Sequence, residues 1–161
     1  MLIINKIYQK TLQQSVLKTF VIFFLVSTTF SVASSLLLFY YDIPLKNEED
    51  IFEMGKFFKF TLAVIYAPLF ETLLFTLLPY LVFSKFSKNM VWFIAITSVL
   101  FGLIHTYSVA YVIITFFAGI FLNTFFWIVI HKKNMASAFF LTCLMHALHN
   151  FLIFLINIFA K

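Results

Sequence analysis

The 161-residue chain has no arginine, one cysteine, three glycines, three prolines and only six acidic residues. Charged residues make up 11% of it, where a soluble domain carries about 25%, so its surface cannot be clothed for water. The single cysteine, Cys143, excludes an internal disulfide and any Cys-rich metal pattern. So few glycines exclude collagen-like and Gly-rich barrel compositions. What is present is apolar: 63% hydrophobic residues, twenty-five of them phenylalanine, with a mean hydropathy of +1.05. This composition needs a hydrocarbon solvent and reads as an integral membrane protein. The net charge of +5 comes from eleven lysines scattered in ones and twos at the ends of apolar runs. Their placement is that of topology signals, and no nucleic-acid partner is expected.

The apolar runs predict an all-α, polytopic transmembrane helix bundle of about five spans, with its N-terminus cytoplasmic, in the cell membrane. Residues 1–56 hold an amphipathic N-terminal segment (Leu2 to Leu12), a first span (Phe20 to Tyr41) and an acidic external loop. That loop, Asp42 to Lys56, carries five of the six acidic residues and Pro44. Within the first span Ser27, Ser31 and Ser35 recur every four residues, a small-residue packing stripe. Residues 57–161 form a four-span core: Phe57 to Phe83, Val91 to about Ser108, Val109 to Ile130, and Met135 to Ala160. With five spans the lysines at 6, 10, 18, 85, 88, 132 and 133 all fall on one side. No glycine or proline marks the turn between the third and fourth spans; the polar stretch His105-Thr-Tyr-Ser108 is the only candidate.

Ionisable groups inside such spans are costly and point to function. Beyond Glu53 the only carboxylate is Glu71, deep in the second span. Pro68 lies three residues before it and should free the carbonyl of Val64, leaving room for water beside the acid; Pro79 reads as an ordinary kink. His105, His146 and His149 also lie in spans, whereas His131 adjoins Lys132 and Lys133 and reads as a solvated loop residue. His146 and Asn150 are four apart and share a helix face. Depth along the helices, roughly 15–21 Å from the nearest span end, brings Glu71, His105 and His146 to the middle third. A carboxylate, two imidazoles and an amide are the equipment for hydrolysis at a desolvated site, and could equally bind a metal or relay protons. His149 and Asn123 read as interhelical hydrogen-bonding residues. Trp92, Tyr107 and Tyr111 read as interfacial aromatics.

Three segments carry a family resemblance over roughly Phe60 to Phe159: Glu71-Thr-Leu-Leu-Phe-Thr76, Phe101-Gly-Leu-Ile-His105 and His146-Ala-Leu-His-Asn150. The chain resembles the CPBP (Abi) family of intramembrane proteases, which includes the type II CAAX prenyl endopeptidases and bacteriocin-processing or immunity proteins. The resemblance implies an endopeptidase acting on a peptide or membrane-protein substrate at or in the membrane, among membrane lipid. By it Glu71 would activate water, while His105, His146 and Asn150 would orient that water and stabilise the oxyanion. It implies either a metal-free glutamate mechanism or a divalent metal such as zinc. Thr72 and Thr76 stand where the family has a second glutamate and an arginine. Losing both charges as a unit leaves no orphan charge, whereas losing one would cost about 3–5 kcal/mol. The alternative is a catalytically inactive relative acting in bacteriocin immunity or as a scaffold.

Overall fold

The computed structural model describes residues 2–41 and 55–159, and no strand occurs among them. The greater part of the acidic loop lies outside the described residues. Six helical elements follow: α1 (Leu2–Gln13), α2 (Val16–Tyr40), α3 (Phe57–Phe83), α4 (Met90–Leu103), α5 (Val109–Lys132) and α6 (Met135–Phe159). Segments in α2, α3, α5 and α6 are long and apolar enough to cross a membrane, and α4 is a shorter apolar helix. The bundle is therefore polytopic, as the apolar runs predict.

α5 is the axis of the bundle. Its apolar window is 50% buried, against 11–22% for the other long helices, and it supplies Leu122, Phe125, Phe126, Trp127 and Val129 to a core completed by Phe93, Phe101, Ala138 and Met145. Aromatic edges do much of the packing: Tyr80, Phe93, Phe126 and Trp127 lie with ring centroids 5.3–6.3 Å apart, and such pairs add about 0.5–1.5 kcal/mol each beyond burial. These contacts, with Phe20 against Phe125 at 5.7 Å, bring the start of α2, the α3–α4 connection and the end of α5 to one end of the bundle. The seven lysines that the charge pattern assigns to one side thus gather at one end. There Lys132 Nζ donates to the Gln14 carbonyl at 2.8 Å and to Thr19 Oγ1 at 2.9 Å, fastening the α1–α2 corner to α5.

The split between the third and fourth spans is real, but α4 ends at Leu103 instead of Ser108. Ser108 is extended and caps α5, its hydroxyl accepting from the Tyr111 amide at 3.1 Å; a residue that caps one helix cannot continue another. Two glycines let α4 and α5 approach. A Cβ on Gly102 would meet Phe116 Cβ at 2.9 Å, and one on Gly119 would meet Ser98 Cα at 3.1 Å.

Ser27 and Ser31 are buried, as their spacing predicts. Asn123, 1% exposed, joins three helices: Oδ1 accepts from Thr76 Oγ1 at 2.8 Å and Nδ2 donates to Ser98 Oγ at 3.3 Å. Replacing it with leucine is expected to cost about 1–2 kcal/mol, read by sodium dodecyl sulfate titration of the protein in neutral micelles. Adding Thr76→Val should recover part of that loss, because removing both partners leaves no orphan. No recovery would show that Asn123 acts through shape alone.

Candidate active site

α3 is not one uniform helix. It passes from α-helix into a π-helical turn at Thr61–Tyr66, returns to α over Ala67–Thr72, opens into a second π turn at Leu73–Leu77 and closes as α over Leu78–Phe83. Each π turn directly precedes a segment with proline in its first turn, Pro68 and Pro79. Proline has no N–H to give, so the turn before it can widen at little cost. At the first break the Ala67 amide bonds to the Leu62 carbonyl, five residues back. The acceptor left over by Pro68 is therefore the Ala63 carbonyl, not that of Val64 as a plain α register would give. Asn150 fills it, its Nδ2 donating at 2.9 Å. The orientation of the amide follows, because a carbonyl can only accept.

One turn beyond Pro68, Glu71 points into the bundle. His105 Nε2 and His146 Nε2 each lie 3.7 Å from the same oxygen, Glu71 Oε2. The three side chains are 22%, 13% and 7% exposed, so the carboxylate is the most accessible member. They arrive from three elements: Glu71 from α3, His105 from the turn after α4, His146 from α6.

Hydrogen bonding fixes the roles of both imidazoles. His105 Nδ1 is 2.7 Å from the Phe101 carbonyl, which accepts only, so Nδ1 carries the hydrogen and Nε2 of the neutral ring presents a lone pair. His146 Nδ1 is buried without a hydrogen-bond partner. A hydrogen there would be stranded, whereas one on Nε2 faces Glu71; His146 is thus the donor of the pair. Phe101 packs against both rings, with centroids 4.8 Å from His105 and 5.7 Å from His146. The Phe-x-x-x-His spacing therefore does two things: the phenylalanine's ring spaces the histidines and its carbonyl selects the tautomer.

A family model described as type II CAAX prenyl endopeptidase Rce1-like matches residues 53–152. The chain belongs to this Rce1-like family. No curated protein and no solved structure matches it. At the level of the family it is a protease-type membrane enzyme, and the Rce1-like stretch takes in Glu71, His105, His146 and Asn150.

The Rce1-like site has one neighbour the sequence reading placed elsewhere. The ring of Tyr111 lies 5.6 Å from that of His105. The chain turns back between His105 and Tyr111, so helical spacing cannot relate them. His149 lies outside the triad and meets Thr28 of α2, Nδ1 to Oγ1 at 3.4 Å. His131 belongs to the last turn of α5, not to a loop, and is exposed. Thr72 and Thr76 are both buried; Thr76 enters the Asn123 network in place of a charged pair.

Metal binding needs a convergent donor set. Among the described residues no three His, Cys, Asp or Glu side chains are grouped to hold an ion, and the only further imidazole nearby, His149, is engaged with α2.

Proposed function

We propose that this Rce1-like protein is an endopeptidase that hydrolyses a peptide bond at or in the membrane with water activated by Glu71. The observation that carries this reading is the convergence of two imidazole Nε2 atoms on one carboxylate oxygen, each at 3.7 Å. That separation is too long for a direct hydrogen bond and suits a water held among the three groups. Such a water gives one hydrogen to Glu71 and the other to the His105 Nε2 lone pair, so both of its hydrogens are held by acceptors and an oxygen lone pair is free to attack.

Glu71 takes a proton as the water oxygen bonds to the scissile carbonyl carbon. The oxyanion formed is held by the His146 Nε2–H in a site of low polarity, where such a donor is worth most. The proton on Glu71 then passes to the amide nitrogen, the C–N bond breaks, and an acid and an amine leave. His105 orients the water, and Asn150 joins α6 to the span that carries Glu71.

The test is peptide profiling of membranes from cells producing the parent or Glu71→Gln at matched levels, in search of new termini near membrane-spanning segments. Termini that vanish with Glu71 support the protease and name its substrate. Identical profiles from two folded proteins would instead support an inactive relative acting in bacteriocin immunity or as a scaffold.

A further inference from the structure

Three residues before Pro68, the chain faces a choice of register. In a continuous α-helix the Ala67 amide would bond to the Ala63 carbonyl, and the carbonyl orphaned by Pro68 would be that of Val64. Here the Ala67 amide reaches Leu62 instead, and the Ala63 carbonyl is taken by Asn150 Nδ2. The side chain pairs the carbonyl that the π register leaves without an amide. An unpaired carbonyl at membrane depth is costly, and in this register the one orphaned by Pro68 is paired by Asn150.

The register decides where Glu71 points. Upstream of the break, Phe60 is fixed against α6, its ring 6.1 Å from Phe151 and 5.4 Å from Phe154. A π turn holds one more residue than an α turn, which offsets everything after it by about 100° around the axis. With Phe60 held, an α register across Thr61–Tyr66 would swing Glu71 away from His105 and His146.

We propose that Asn150 is a positioning residue that selects the π register of α3 and thereby aims the Glu71 carboxylate at the two imidazoles. It acts through the Ala63 carbonyl. This rests on the reading of Glu71 as the base, yet the register itself can be followed without any hydrolysis.

The native Cys143 thiol is near the Thr72 hydroxyl, which has no hydrogen-bond partner, just after the break. Thr72→Cys should therefore cross-link with Cys143 on mild oxidation in membranes. Adding Asn150→Ala, or Asn150→Asp, which offers no amide hydrogen, is expected to lower that cross-linking about tenfold if Thr72 swings away with Glu71. A second pair, Thr28→Cys with His149→Cys, reports the α2–α6 contact and is expected to cross-link equally in all backgrounds, showing that the bundle is still assembled. Unchanged Thr72→Cys cross-linking in both Asn150 variants would overturn the proposal. So would lost cleavage with an intact cross-link, since Asn150 would then act on the reacting atoms. Absence of cleavage in the parent would count against the protease reading only.

Discussion

Glu71→Gln, His146→Ala and the two combined are expected to reduce cleavage to one common level, about 10²–10⁴ below the parent. The reason is geometric. In the proposed mechanism both groups act in one step: the carboxylate takes the water's proton as its oxygen attacks, and the Nε2–H of His146 holds the oxyanion that the attack creates. Neither half of that push and pull accelerates the reaction much without the other, so the second substitution finds little left to remove. The measurement is the initial rate on a substrate found by terminal profiling, at equal amounts of folded protein. A double variant slower than either single by the product of the two losses would show that they act at separate steps, and the shared-water arrangement would fall.

Gly102→Ala should damage both the fold and the reaction from a position that touches no substrate. The added methyl group would lie 2.9 Å from Phe116 Cβ, 3.1 Å from Phe116 Cα and 3.1 Å from the Val112 carbonyl oxygen. These atoms belong to the α5 backbone or stand one bond from it, so no rotamer change relieves the clash and the helices must part. Overpacking of this kind costs about 1–3 kcal/mol. Parting α4 from α5 also moves Phe101, which is in contact with both histidine rings, and a displacement near 1 Å at a catalytic group can cost about 10²-fold. Cleavage and resistance to denaturing detergent are therefore expected to fall together. Gly55→Ala is the control, since a Cβ there meets nothing within 4 Å. A Gly102→Ala protein with the parent's rate would mean that α4 holds His105 more loosely than its packing implies.

Much of this was legible in the residues because hydrocarbon is an unforgiving solvent. Apolar runs mark the helices, and lysines mark the end at which they gather. Glu71, His105 and His146 stand out because carboxylates and imidazoles are rare within the apolar spans, His149 being the other such histidine. Asn123 and His149 were readable as interhelical ties, and each now has a named partner, Thr76 with Ser98 and Thr28 respectively. The end of α4 was misplaced because the four residues after Leu103 are not helix-breakers; only the capping role of Ser108 separates the helices. Pro68 announces a break but not its register, since proline removes a donor without saying which carbonyl goes unpaired. The answer depends on Asn150, 87 residues beyond Ala63. Tyr111 was missed for a similar reason: a turn, not a helical repeat, brings it to His105.

α4 has one further consequence, which concerns the lipids. It has 14 residues, about 21 Å of helix, beside a hydrocarbon layer of about 30 Å. Its outer face, with Val91, Ile96, Val99 and Leu103 exposed, is apolar. Acyl chains along that flank meet a wall shorter than themselves and must shorten or tilt, at a cost of fractions of a kcal/mol per Å. A bilayer around these five apolar helices would therefore meet its shortest apolar wall beside the turn that carries His105.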